Sequence, residues 1–321
     1  MVLEPVLDEC GSCTPAGNGA GRDLGPDELT AGHNGGLTAL AAGQNGGGAT
    51  LTSNRPFGTL VGGLDIGSAT GKAVVLGDGE ILGSFVLAST ANPRQTAQIV
   101  MDQAIEEAGL GSLDELDYIV STGYGRLQIP WANENLSEIS CHARGAHWMG
   151  PTVRTVIDIG GQDCKVISVS PDGKVLEFVM NDRCAAGTGR FFESMARGLC
   201  CGLDGISDLA NQGPEPCSIS HQCTVFAESE VVTLVNEGVE LPNIIAGINR
   251  SVASRITSMA RRVGVIPEVA LTGGCSKNAG LAAALEAKLN LSVVTLPNDP
   301  QIAGALGAAL FAADKHLAQV A

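Results

Sequence analysis

Two aspartates, each ending an apolar run and each followed by a glycine turn, offer the first chemistry in this sequence. Asp65-Ile66-Gly67-Ser68-Ala69-Thr70-Gly71-Lys72 closes one such run and opens another. Glycines so placed let backbone N–H groups converge on a phosphate, Ser68 and Thr70 add hydroxyl donors, and Lys72 adds a point charge. Asp65 can hold a hydrated Mg²⁺, which binds through one or two carboxylates and keeps several waters. Asp158-Ile159-Gly160-Gly161-Gln162-Asp163 repeats the theme. Facing the first turn, it would grip the phosphates from the other side, with Gln162 or Asp163 orienting an attacking water. Thr272-Gly273-Gly274, within the stretch from Leu271 to Asn278, suits the adenosine side, where glycine permits close backbone approach. A lone Asp-x-Gly at a strand end is more often only a hairpin, so the weight lies in three turns within one repeated pattern. No G-x-x-x-x-G-K-[ST] is present and no G-x-G-x-x-G stands in a Rossmann setting.

Cysteines supply the second chemistry. The chain has ten. Cys184 lies in the small-residue turn Asn181–Gly189, ahead of a predicted helix from Arg190 to Leu199. Cys223 lies in Ser218–Glu230, just before a second predicted helix. A cysteine at a helix start is favoured as thiolate by the dipole there. Structural zinc and iron–sulfur clusters take four ligands, and this region offers two in matched settings. A two-fold dimer would supply four, so a cluster on the symmetry axis is the simplest geometry. The plainer alternative is that both are packed thiols, since free cysteine behaves as a small hydrophobe. Packing is also the reading for Cys164, Cys275 and the Cys141-His142 pair, while the adjacent Cys200-Cys201 and Cys217, in a Pro-rich turn, are set aside as ligands. His221 reads as an outer donor or a surface residue, and Cys10-Gly11-Ser12-Cys13 lacks a second pair nearby.

These residues need elements to hold them. Leu60–Ile66, Lys72–Leu76 and Glu80–Leu87 read as strands, with Asp78-Gly79 as a hairpin turn. Thr96–Ala108 has helical spacing, Tyr118–Val120 reads as a buried strand, and Ser137–Met149 reads as a helix capped at Ser137. The pattern then restarts. Val153–Ile159, Lys165–Val169 and Lys174–Met180 read as strands, with Asp172-Gly173 between the last two. Leu241–Val263 reads as a long helix, Val269–Leu271 as a strand, Ser276–Leu289 as a helix, Ser292–Leu296 as a strand and Ile302–Val320 as a helix. This is an internal duplication, and it predicts two α/β domains of related topology with a cleft between them. The expected organisation is a flexible Gly-rich tail over 1–57, a first domain over 58–151, and a second over 152–321 carrying an insertion at 181–240. The terminal helix is expected to pack on the first domain.

Composition narrows the function classes. A net charge of −15 makes the chain a poor candidate for nucleic-acid binding. The longest uncharged apolar stretch, Ile302–Ala313, falls short of the roughly 18–20 residues of a membrane span. No basic, continuously apolar leader is evident at the N-terminus, so the expectation is a cytoplasmic protein without a membrane partner.

The two phosphate turns and the adenosine turn resemble those of the actin, sugar-kinase and heat-shock chaperone superfamily of ATPases. More specifically, Asn181–Gly189, Cys223–Val231, Asp158–Asp163 and Thr122-Gly123-Tyr124-Gly125-Arg126 resemble the activator ATPases (component A) of 2-hydroxyacyl-CoA dehydratases and the ATPase subunits of benzoyl-CoA reductase. The resemblance spans about residues 59–315. It implies two duplicated actin/sugar-kinase-like ATPase domains and a homodimer holding one [4Fe–4S] cluster through Cys184 and Cys223 of each subunit. It also implies ATP and Mg²⁺ as ligands, ferredoxin or flavodoxin as electron donor, and an iron–sulfur dehydratase or reductase as acceptor. Catalytic roles would fall to Asp65, Asp158, Gln162 and Asp163. Nucleotide contacts would fall to Gly67, Ser68, Ala69, Thr70, Gly71, Lys72, Gly160, Gly161, Gly273, Gly274 and Asn278. The competing readings are a small-molecule kinase with Asp163 as base, a regulatory ATPase without redox chemistry, and a permanent subunit of a benzoyl-CoA-type reductase.

Overall fold

The computed structural model describes residues 57–182 and 184–321. The expected tail, with Cys10 and Cys13, lies outside them up to residue 56. Phe57, assigned to that tail, instead packs against the core of the first half.

In the first half, β1 (Leu60–Ile66), β2 (Thr70–Gly77) and β3 (Glu80–Ala88) form an antiparallel meander. Asp78 and Gly79 both adopt positive φ at the hairpin, as a two-residue turn of this hand requires. α1 (Pro93–Glu107) starts three residues earlier than its apolar spacing suggests. Asn92 caps it by accepting from Arg94 N at 3.0 Å, and Pro93 fills the first position, where no N–H is needed. β4 (Tyr118–Thr122) then joins β1 in parallel and β5 (Glu134–Asn135) follows it, giving the order β3-β2-β1-β4-β5. α2 (Glu138–Met149) ends the first half. Ser137 is its cap position, but its side chain makes no capping bond.

The second half repeats this plan. β6 (Thr155–Ile159), β7 (Cys164–Val169) and β8 (Val175–Asn181) form the meander, and β9 (Val269–Thr272) and β10 (Val293–Val294) extend it. The order β8-β7-β6-β9-β10 mirrors the first sheet strand for strand. Between β8 and β9 come α3 (Gly189–Gly198), α4 (Leu203–Leu209), α5 (Thr224–Asn236) and α6 (Leu241–Val263). After β9 come α7 (Ala279–Leu289) and, after β10, α8 (Ala303–Val320). Sequence spacing starts α7 at Ser276, yet residues Gly274–Lys277 form a 3₁₀ turn. The helix begins only after Asn278, whose side chain accepts from Leu281 N.

Side-chain alternation decides what each face does. On β1, Leu60, Leu64 and Ile66 point toward α1, while Val61 and Asp65 point toward α8. On β6, Ile157 and Ile159 point toward α6, while Val156 and Asp158 point toward α2. Each half is thus a sheet covered on both faces, and the two aspartates lie on the faces that meet around α2 and α8. Those helices cross at backbone contact: a Cβ at Gly145 would strike the Ala303 carbonyl, and one at Gly307 would strike that of Cys141.

Candidate nucleotide site and cysteine site

The two aspartate turns have the same skeleton. Gly67 N donates to Thr70 O at 3.0 Å, and Gly160 N donates to Asp163 O at 3.0 Å. They face each other so closely that a Cβ on Gly161 would collide with the Ala69 methyl and come within 3.3 Å of Ser68 Oγ. Around them lies a cavity of about 570 Å³. Asp65, Gly67, Ser68, Ala69, Thr70, Lys72, Asp158, Gly160, Gly161, Gln162, Asp163, Gly273, Gly274 and Asn278 all line it. Gly71 does not; it is buried in β2 against the Thr96 methyl. The cavity size and this mixed lining suit a nucleotide.

Each aspartate faces a lysine across its hairpin ladder. Lys72 Nζ lies 3.1 Å from Asp65 Oδ2, and Lys165 Nζ lies 3.1 Å from Asp158 Oδ2. Lys165 also reaches Asp163 at 2.8 Å and Glu138 at 3.6 Å. Burial disfavours the Lys165 cation, but the three carboxylates outweigh it and hold its pKa well above the usual range. Burial likewise opposes ionisation of Asp158. The charges of His142 and Lys165, with hydrogen bonds from Lys165 and Thr272, outweigh it and hold that carboxyl well below its ordinary range. Burial raises the pKa of Glu138, against the pull of Lys165. Among the described residues no group of three or more His, Cys, Asp or Glu is placed to hold a metal ion. Two carboxylates facing a phosphate-sized space nevertheless fit Mg²⁺, which takes its remaining ligands from water and phosphate.

Glu138 and Lys165 line this cavity without having been singled out from the sequence, and so does His142, which the sequence reading assigns to packing. Lys165 was findable, because it stands in the second copy where Lys72 stands in the first. Glu138 and His142, one turn apart on α2, carry no motif. Their neighbours come from positions 65, 158, 165 and 272, which only the fold assembles.

Cys184 and Cys223 are absent from the cavity lining, yet the fold brings their loops together. Cys184 Sγ lies 3.7 Å from the carbonyl of Gln222, the residue before Cys223. Cys223 is the N-cap residue of α5. Cys184 is not at a helix start; it sits in a loop five residues before α3, with its carbonyl accepting from Asn181 Nδ2 at 2.9 Å. Both thiols are half-buried. Thr224, next to Cys223, has a buried hydroxyl with no hydrogen-bond partner. Two half-buried thiols beside an orphaned hydroxyl donor fit the ligand chemistry of an iron–sulfur cluster. Cys141 and Cys275 are different: burial pushes each thiol up to about 12, and that of Cys164 up to about 11. They are packed thiols.

Residues 63–312 match the BadF/BadG/BcrA/BcrD ATPase family. The activator of lactoyl-CoA dehydratase from Anaerotignum propionicum is 46% identical over 250 residues, covering 78% of this chain and 96% of that protein. The crystal structure of the Acidaminococcus fermentans (R)-2-hydroxyglutaryl-CoA dehydratase component A has a TM-score of 0.77 at 41% identity, covering 81% of this chain and 99% of that one. The activator of the 2-hydroxyisocaproyl-CoA dehydratase from Clostridium difficile, with bound ADPNP, also has a TM-score of 0.77, at 39% identity, covering 82% and 97%. The duplicated halves are therefore those of the actin-like, sugar-kinase-type ATPase fold, as the two matching turns imply.

Proposed function

The chain belongs to the BadF/BadG/BcrA/BcrD ATPase family and is an ATPase, and on that premise we propose that it is the ATP-dependent electron-transfer activator of a 2-hydroxyacyl-CoA dehydratase or a related iron–sulfur reductase. One electron enters from a ferredoxin or flavodoxin and one leaves to the iron–sulfur centre of the acceptor, while ATP and water give ADP and phosphate. A [4Fe–4S] cluster, shared by a homodimer and held by Cys184 and Cys223 of each subunit, supplies the one-electron chemistry. Asp65 and Asp158 hold the hydrated Mg²⁺, Lys72 and the two turns hold the phosphates, and Gln162 or Asp163 orients the water.

The observation that carries this reading is how short the connection between the two sites is. Gly189 N donates to Gly160 O at 2.8 Å, and Arg190 N donates to Gly161 O at 2.8 Å. The first turn of α3 is thus hydrogen-bonded to the second phosphate turn, and Cys184 lies five residues before it. The inserted segment also walls the nucleotide cavity through Phe192, Leu203 and Ile206. On the adenosine side, Asn278 Nδ2 donates to Asn249 Oδ1 on α6 at 2.8 Å. Two and six residues further along that helix, Ser251 Oγ and Arg255 Nη1 donate to the carbonyls of Ser220 and His221, just before Cys223. A phosphate that shifts the second turn therefore moves hydrogen-bond partners of the Cys184 segment directly. Changing a cluster site's charge, hydrogen bonds and exposure is what alters its potential. A kinase of this fold would not need either connection.

Anaerobic purification with iron and sulfide analysis tests the proposal. We expect about four irons per two chains, and near-complete loss in Cys184→Ser or in Cys223→Ser with part of the ATPase activity retained. An iron-free wild-type protein that activates its acceptor, or a single cysteine variant that keeps its full iron, would overturn it.

A further inference from the structure

His142 is 4% exposed and lies at the floor of the cavity, on the α2 face that also carries Glu138. Its ring touches both halves of the molecule. Nδ1 lies 3.2 Å from Thr272 Oγ1 and 3.3 Å from Asp158 Oδ1, and Nε2 lies 3.8 Å from Asp65 Oδ2. Thr272 Oγ1 donates to Asp158 Oδ1 at 3.0 Å, while Lys165 Nζ takes the other oxygen of that carboxylate at 3.1 Å. Both Asp158 oxygens are therefore held, and the imidazole contributes to one of them. The far side of the ring is closed by α8: a Cβ at Gly304 would lie 2.8 Å from His142 Nε2 and 2.8 Å from Asp65 Oδ2. The backbone has been brought so near that only glycine fits, and the ring has no room to tilt away from the two carboxylates.

We infer that His142 is a positioning residue for the ATPase reaction, fixing the separation and orientation of the Asp65 and Asp158 carboxylates across the cleft. Two facing carboxylates repel at short range. An imidazole wedged between them fixes their spacing through one ring with two nitrogens on opposite edges. It acts through the aspartates. A misplacement of about 1 Å at such a site is enough to lower turnover by about 100-fold.

The two ring nitrogens can be removed separately. The amide of Asn reaches about where Nδ1 lies, and the amide of Gln about where Nε2 lies. His142→Asn therefore keeps the Asp158 and Thr272 side, His142→Gln keeps the Asp65 side, and His142→Ala keeps neither. The experiment measures ATPase kcat and KM in the full chain, with ADP affinity by calorimetry in the presence and absence of Mg²⁺. We expect His142→Ala to lower kcat at least about tenfold with KM within about threefold, and to lose most of the Mg²⁺-dependent gain in ADP affinity. His142→Asn should recover most of both, because two of the three close contacts lie on its side, and His142→Gln should recover less. Wild-type kcat and Mg²⁺ dependence in His142→Ala would overturn the inference. So would equal losses in the Asn and Gln variants, tracking a common fall in thermal stability, which is the behaviour of a residue that only fills space. If the Ala variant does not fold, the Asn and Gln pair still decides.

Discussion

Asp65–Lys72 and Asp158–Lys165 are the same pair built twice, directly opposed across the same hairpin ladder, but they keep different company. Lys72 has one carboxylate partner among the described residues. Lys165 has three, is the more buried, and is held protonated by them. Duplication fixed the geometry of the pair and left its charge balance open. In the first half, the cation faces a cavity with only one counter-charge and has capacity for a phosphate. In the second, the cation is used up inside the protein, holding Asp158, Asp163 and Glu138 in place. One lysine is a ligand for what binds, and the other is part of the frame.

The largest effect that sharpens this contrast is on stability. Lys165→Met leaves three carboxylates around a buried apolar chain and should cost about 3–5 kcal/mol, read from urea denaturation. Lys72→Met should cost less than about half of that, and equal losses would erase the distinction. Activity should run the other way. Lys72→Met should stay folded and lower kcat/KM for ATP by about 100-fold, on the scale of losing one electrostatic contact to a transferring phosphoryl group. A folded Lys72 variant with wild-type ATPase kinetics would break the assignment of ligand and frame.

The smallest effect is on pH dependence. Asp158 titrates well below its ordinary value in the folded protein, because His142 and Lys165 outweigh its burial. The unfolded chain therefore takes up that proton first as the pH falls. The stabilisation from Asp158 is complete above about pH 4 and is lost progressively below it. Denaturation midpoints measured between about pH 5 and pH 3 should fall less steeply in Asp158→Asn than in wild type. Parallel slopes would show that the acid sensitivity of the second half arises elsewhere.

Most of the scaffold was legible because it is repetitive. Alternating apolar runs that end in Asp-Ile-Gly, followed by Asp-Gly hairpins, gave β1–β3 and β6–β8 to within about two residues, and the repeat gave the two-half architecture. Boundaries slipped where capping chemistry overrode apolar spacing. Asn92 and Pro93 pulled α1 earlier, and the 3₁₀ turn before Asn278 pushed α7 later. The two-residue strand β5 and the seven-residue helix α4 are too short to have a period. The nucleotide cavity was legible where chemistry is local, in the glycine turns that line it. It was illegible at Glu138 and His142, whose roles depend on groups more than a hundred residues away in the chain or on another element. Cys184 shows the converse. The family resemblance grouped it with Cys223, and a contact at hydrogen-bonding distance joins the two loops, but the expected place at the start of α3 is not where it sits.

The crossing of α2 and α8 has a mechanical consequence. Side chains that interlock along two helices let them slide by small steps, as in shear motion. Here two glycines bring the backbones together at one point, with α8 seated on the first sheet and α2 against the second. A contact of that kind works as a bearing: it resists translation, since either carbonyl would be driven into the opposite chain, and it leaves rotation as the soft coordinate. The pivot lies inside α2: Gly145 is seven residues, or about 10 Å, from the helix start at Glu138, so a turn of about ten degrees at the bearing carries that end through about 2 Å. A shift of that size stretches a hydrogen bond of about 3 Å to about 5 Å, which breaks it, so a phosphate in the cleft would gain or lose contact with the opposite turn.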